Sequence, residues 1–238
     1  MVKKTDKVVI RALWGIFDKS HAILQRRFRI ERNIASMLNN PLSPECIVYV
    51  YGKDNIETLK KVGCLNYRVV SEQPYAWDIV KHQYRHKLEI IKIAMEDGIK
   101  ELLYMDWDCI PQKQVPFDFW ESMSKRASFQ ANLEMYNRRK AFWRKIATRQ
   151  VPNGGFIYLN DKKMVDKAIE FWEARPQDND EPAWGQMLDW VEGGWKSPEF
   201  YWDKYEAMHC NLHNKCAFDP KLMNSKDVSF IHFHGKGK

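Results

Sequence analysis

The chain has 238 residues, 45% of them hydrophobic, and a formal net charge of +7 carried by lysines and arginines spread along its whole length; it can bury one sizeable core and fits a single α/β domain. No run approaches the roughly 18 apolar residues of a membrane span, and the N-terminal stretch lacks the apolar segment of a signal peptide, so a soluble, cytoplasmic protein is expected. Five cysteines, Cys46, Cys64, Cys109, Cys210 and Cys216, form no C-x-x-C pair, and their odd count argues against a closed disulfide framework and for a reducing compartment.

In chain order, strand-like and helix-like runs alternate through the first half, the pattern of a mainly parallel sheet covered by helices. "KVVIRALWG" (7–15) reads as a buried strand and "AILQRRFRIERNIASML" (22–38) as a helix. "CIVYVYG" (46–52) is β-branched and aromatic and ends in glycine, and the helix after it takes Asp54 as N-cap and Gly63 as its stop. "YRVV" is a short third strand. "VKHQYRHKLEIIKIAMEDG" then predicts a helix with Leu88, Ile91 and Met95 on one face and Gly98 at its end. "ELLYMDWD" (101–108) follows as a strand. In the less regular second half, "FQANLEMY" and "GGFIYLN" read as strands, and "DKKMVDKAIEFWEAR" and "PAWGQMLDWVEGG" as helices. The expected organisation is one domain over 1–238, with a nucleotide-binding half of about 110 residues and an acceptor-facing half after it.

The strand "LLYM" stops at two aspartates, Asp106 and Asp108, either side of Trp107. Ligands of open α/β sheets collect beyond the carboxyl ends of strands. Two carboxylates at i and i+2 can reach one hard cation if the chain turns there, because magnesium and manganese take oxygen ligands, and a cation so held can neutralise a diphosphate. The competing reading is a turn before Pro111 with the aspartates as punctuation. Near the C-terminus, "IHFHGKGK" (231–238) joins an imidazole that could complete such a coordination shell, a glycine permitting close backbone approach, and a lysine adding charge. His232, Gly235 and Lys238 have that spacing; His234 is the alternative ligand, since residues two apart on a strand share a face.

"YMDWDC" after an apolar strand resembles the D-x-D motif of glycosyltransferases with the GT-A fold, a Rossmann-like mixed, mainly parallel sheet flanked by helices. "PNGGFIYLN" (152–160) resembles the strand that lines their sugar pocket, and "IHFHGKGK" resembles the H-x-x-G-x-x-K closing motif of retaining family 8 transferases, relatives of glycogenin and of lipooligosaccharide galactosyltransferases. The resemblance implies a metal-dependent transferase that moves a sugar from a nucleotide diphosphate sugar, UDP-sugar favoured, to a glycan, lipid or protein hydroxyl. It implies manganese or magnesium on Asp106, Asp108 and His232. It also implies nucleotide-sugar contacts from Ala12, Leu13, Trp14, Lys87, Asp106, Trp107, Asn153, Gly154, Gly155, Gly235 and Lys238. An acidic residue before the helix at Pro182 would sit near the anomeric carbon: Glu181 first, Asp180 in reserve. The chain departs from the pattern in lacking the usual Asp-Gln pair there and in having no Pro-Trp after Lys238.

Two other classes compete. A haloacid-dehalogenase-type phosphatase also ends a strand in D-x-D, with the first aspartate as nucleophile, but near its chain start, whereas two α/β units precede the motif here. A basic, Trp-rich nucleic-acid-binding module is the other, given ten tryptophans and "YNRRKAFWRK" (136–145). That stretch reads better as a helix or loop beside the site, in contact with an acidic acceptor or lipid headgroups. No nucleic-acid partner is expected.

Overall fold

The computed structural model describes residues 6–14, 31–32, 34–73, 75, 85–107, 109–111, 114, 118–125, 128–134, 151–174, 180–190, 206–210 and 230–234. Nine strands and five helices are defined among them: β1 (Lys7–Leu13), β2 (Cys46–Tyr51), α1 (Lys53–Lys61), β3 (Tyr67–Ser71), α2 (Arg85–Glu96), β4 (Glu101–Met105), β5 (Cys109–Pro111), α3 (Phe119–Ser124), β6 (Phe129–Glu134), β7 (Val151–Leu159), α4 (Lys162–Ala174), α5 (Glu181–Trp190), β8 (Glu206–Cys210) and β9 (Phe230–His234).

Six strands form one mixed sheet in the order β3-β2-β1-β4-β7-β6. β3, β2, β1 and β4 run parallel, β7 is antiparallel to β4, and β6 is antiparallel to β7. The near-continuous apolar runs of β1, β2 and β4 suit strands covered on both faces. Along β1, Val8, Ile10 and Ala12 pack on one side with Leu88, Ile91, Val165, Trp172 and Trp184 from α2, α4 and α5. Val9 and Leu13 point the other way, towards Phe119 and Met123 of α3 and Leu59 of α1 respectively. The two-residue alternation of a strand thus splits one sequence run between two cores.

The predicted elements form, with instructive differences at their ends. Asp54 does not cap α1: the cap is Gly52, whose φ of 86° turns the chain from β2 into the helix, and Asp54 lies in the first turn, where its charge suits the helix dipole. Gly63 (φ 75°) follows the end of α1, and Gly98 (φ 100°) follows α2, both left-handed stops as expected. Leu88 and Ile91 of α2 are fully buried. The strand expected from Gly154 begins three residues earlier, and Pro152 is tolerated because it pairs with Leu133 beside a register shift in β6. Of the helix expected over 22–38, residues 34–38 are helical and 22–30 lie outside the described residues.

Strand order fixes where a ligand can go. β2 and β3 lie to one side of β1 and β4 to the other, so the order reverses between β1 and β4, and a crevice opens beyond their carboxyl ends. Ala12, Leu13 and Trp14 end one wall of it and Asp106 and Trp107 the other. A second, three-stranded sheet, β5-β9-β8, lies next to the D-x-D segment: β5 pairs with β9 antiparallel and sets Cys109 opposite His232.

Candidate functional site

Asp106 is the first residue past β4, and the backbone there is tied on three sides. Its N–H donates to the carbonyl of Gly155 on β7 (2.7 Å) and its carbonyl accepts from the N–H of Cys109 (3.2 Å). That same carbonyl accepts from Nη1 of Arg11 on β1 (2.6 Å). Reciprocally, the indole N–H of Trp107 donates to the carbonyl of Ala12 (2.7 Å), and the Arg11 guanidinium lies 5.0 Å from the Trp107 ring centroid. Arg11, only 2% exposed in an otherwise apolar strand, is thereby accounted for: it latches the D-x-D turn to β1 across the switch point.

The carboxylate of Asp106 meets two donors. Oδ1 accepts from the Tyr104 hydroxyl (2.8 Å) and Oδ2 from the Lys87 ammonium (2.7 Å). Lys87, 5% exposed, also donates to the carbonyl of Gly154 (3.2 Å). Burial first, and then the Asp106 charge, push the Tyr104 phenol well above its usual pKa, so it remains a donor to the carboxylate.

Asp180 completes the cluster. It caps α5 through its carbonyl, which accepts from Ala183 (3.0 Å) and Trp184 (3.2 Å), and its side chain reaches the place where Gly154 has none. A Cβ on Gly154 would lie 2.1 Å from Oδ2 of Asp180. Oδ2 accepts from the indole N–H of Trp184 (2.9 Å). Burial raises the pKa of Asp180, the Lys87 charge opposes that rise, the Asp106 charge adds to it, and the Trp184 bond opposes it. The buried Lys87 ammonium therefore pairs with the Asp106 carboxylate directly and acts on Asp180 through its charge.

Against the sequence expectations, Lys87, Asp106, Gly154, Gly155 and Asp180 come together at one place. Trp107 lies beside them on the β1 side. Ala12 and Leu13 are buried (5% and 2% exposed), and Leu13 packs with Ile34, Val48 and Val50 in the core. Trp14 is partly exposed and stacks on His86, the centroids 3.9 Å apart. Asn153 is in β7, Glu181 opens α5, and His232 and His234 are in β9; their side chains lie outside the described residues, as do Asp108, Gly235, Lys238 and 136–145. Trp184 is fully buried and Trp190 is 52% exposed. Cys46, Cys64 and Cys109 are unbridged thiols.

Tyr104 and Arg11 were missed, and Trp184, one of the tryptophans that could stack on an acceptor sugar or lie buried, is buried and bonds Asp180. Each carried a signal. Tyr104 is two before Asp106 on a strand and shares its face, Trp184 is four after Asp180 on a helix, and Arg11 is a charge inside an apolar strand.

Asp106 directly follows β4, its carboxylate is of the oxygen type that hard divalent cations take, and the β5–β9 register brings the backbone of His232 level with the residue after Asp108. Among the described residues, no group of three His, Cys, Asp or Glu side chains could hold a metal ion, and no helix is long and apolar enough to cross a membrane.

No protein-family profile matches the sequence, and no curated protein matches it. Solved structures do match in fold. A galactosyltransferase, LgtC, in complex with donor and acceptor sugar analogues shares 15% identity at a TM-score of 0.55, over 97% of this chain and 88% of that one. Mouse xyloside xylosyltransferase 1 in its apo form shares 10% identity at 0.52, over 96% and 98% of the two chains. The bifunctional glycosyltransferase WbbM shares 10% at 0.52, over the whole of this chain and 47% of its own. The fold is that of GT-A glycosyltransferases. At these identities the likeness concerns the fold, and the site must be argued from its own residues.

Proposed function

We propose that the chain transfers a sugar from a nucleotide diphosphate sugar, UDP-sugar favoured, to a hydroxyl of a glycan, lipid or protein, with retention of configuration and with the help of a divalent cation. The observation that carries this reading is the pairing of Cys109 with His232. Two motifs more than 120 residues apart in sequence, each read independently as half of a metal and diphosphate site, are brought side by side at the switch point of a glycosyltransferase fold.

Asp106, Asp108 and His232 would hold manganese or magnesium, which when bound supplies Lewis-acid stabilisation to the departing diphosphate. The chain's own residues supply the rest. The Arg11 and Trp107 latch holds Asp106 at a fixed distance from β1, where the nucleoside would lie along Ala12 to Trp14. Lys87 places a buried positive charge beside the Asp106 carboxylate, a group set in advance of the charge that develops on the leaving diphosphate. Gly154 and Gly155 let the donor sugar approach the β7 backbone, and Asp180 faces it from α5. In transfer with retention the bond from the anomeric carbon to the diphosphate oxygen breaks and that to the acceptor oxygen forms, the acceptor proton passing to the leaving diphosphate.

The test is calorimetric titration of UDP and GDP with and without manganese, repeated on Asp108→Ala and His232→Ala. Manganese-dependent binding abolished by both substitutions is expected. No nucleotide binding under any condition, or hydrolysis of a phosphomonoester without sugar transfer, would overturn the reading.

A further inference from the structure

We infer that Trp184 is a positioning residue for the donor sugar: its indole N–H fixes the Asp180 carboxylate over the β7 backbone at Gly154, in the one orientation from which it can meet a sugar held beside Asp106. The inference rests on the nucleotide-sugar reading above and adds to it a residue outside the crevice.

The geometry restricts Asp180 from several directions. Its backbone is fixed as the cap of α5, Gly154 leaves room for the carboxylate only by lacking a side chain, and Oδ2 is held by the Trp184 N–H at 2.9 Å. The indole is itself held. Trp184 is fully buried, and its ring packs on Phe129 of β6 with centroids 5.1 Å apart and planes at 33°. The chain of contacts from β6 through Phe129 and Trp184 to Asp180 therefore lets the edge of the sheet set the direction of a carboxylate at the crevice. An i, i+4 pair on a helix would by itself allow several rotamers; the packed ring selects one.

A tryptophan buried for packing alone would behave differently, and two variants separate the roles. Trp184→Phe keeps a packed ring and loses the donor; Trp184→Gln keeps a donor at i+4 and loses the ring. The probes are UDP, UDP-glucose, UDP-galactose and UDP-xylose, titrated in manganese into the full chain, with thermal melting of each variant alongside. If Trp184 acts through Asp180, Trp184→Phe binds UDP as the parent does but loses about tenfold or more on the UDP-sugar that the parent prefers, the worth of a hydrogen bond to a charged group. Trp184→Gln, where folded, retains part of the preference, since it keeps a donor to Asp180 but loses the packed ring that fixes its direction. The affinity that separates UDP-sugar from UDP should also depend on pH, with its acid limb displaced to higher pH in Trp184→Phe, since loss of a donor to the carboxylate favours the protonated acid.

Equal loss on UDP and UDP-sugar, or no loss on either, would overturn the inference and leave the transferase reading standing. Absence of UDP binding by the parent would overturn both. Should Trp184→Phe fail to fold, Asp180→Asn decides: an unchanged preference for the UDP-sugar there would show that the carboxylate held by Trp184 does not meet the sugar.

Discussion

Replacing Gly154 with alanine tests the centre of the site with one methyl group. The structure puts the new Cβ 2.1 Å from Oδ2 of Asp180 and 2.7 Å from its Oδ1 and Cγ, so the carboxylate must leave. The backbone is not the obstacle, because the left-handed glycines among the described residues are Gly52, Gly63 and Gly98, and Gly154 is not one of them. The cost is therefore that of displacing the acid. Forcing a methyl into a packed site costs about 1–3 kcal/mol, and losing the Trp184 bond to a buried carboxylate about 1.5–3 kcal/mol. Because the two share one movement they do not add fully, and a total of about 3 kcal/mol is expected. At about 2–4 °C per kcal/mol for a chain of this size, the melting temperature should fall by about 6–12 °C. The assay is urea and thermal unfolding of the parent, Gly154→Ala, Asp180→Ala and the double variant. In the Asp180→Ala background the methyl has room, so Gly154→Ala should cost about 1 kcal/mol or less, a coupling of about 2 kcal/mol between the two sites. A Gly154→Ala variant as stable as the parent, or one that loses the same amount in both backgrounds, would refute the argument that the Asp180 carboxylate occupies that space.

Two further outcomes follow from the charges. Lys87→Met removes the ammonium that pairs with the half-buried Asp106 carboxylate and the Gly154 carbonyl, which should cost about 1.5–3 kcal/mol in urea unfolding; a loss below about 1 kcal/mol would mean that water already screens the pair. The raised pKa of Asp180 gives stability a pH dependence of definite sign. Its folded form holds the proton after the unfolded chain has released its own, so the contribution is fully present below the ordinary value of 3.8 and is lost as pH rises from there through the folded value. The stability of the parent minus that of Asp180→Asn should accordingly decline with pH over that window, and a difference that rises there would contradict the burial argument.

The strands of the parallel half were legible because buried parallel strands are runs of β-branched and aromatic residues, and β1, β2 and β4 are such runs ended by glycine or by charge. The place of Asp106 was legible as well, directly after an apolar strand at the point where the strand order reverses, while Asp108 lies outside the described residues. The sequence ranked Glu181 ahead of Asp180, whereas the structure brings the Asp180 carboxylate against Gly154 and the Glu181 side chain lies outside the described residues. Glycine at 154 leaves space for an acid, yet only tertiary structure tells that Asp180 fills it, since the segments lie on different elements and no periodicity links them. The donors to Asp106 and Asp180 were hidden for a related reason: Tyr104 and Trp184 read as core aromatics, which they also are, and a buried aromatic shows its polar atom only when the partner's position is known.

Charge balance ties these particulars to the proposed chemistry. Arg11, Lys87, Asp106 and Asp180 carry two positive and two negative charges when ionised, and the cations are both engaged: Arg11 on the Asp106 carbonyl, Lys87 on the Asp106 carboxylate and the Gly154 carbonyl. A sugar nucleotide would bring the negative charge of its diphosphate to described residues whose two cations are already engaged. Without an added cation the diphosphate would have to take Lys87 from the Asp106 carboxylate and the Gly154 carbonyl, at the cost of the hydrogen bonds it makes there. A divalent cation on the D-x-D side would supply the missing positive charge without moving Lys87. Nucleotide affinity should on this ground fall steeply on chelation in the parent and depend far less on metal in a variant that substitutes both Asp106 and Asp180 by asparagine, where Lys87 is released to meet the phosphates itself.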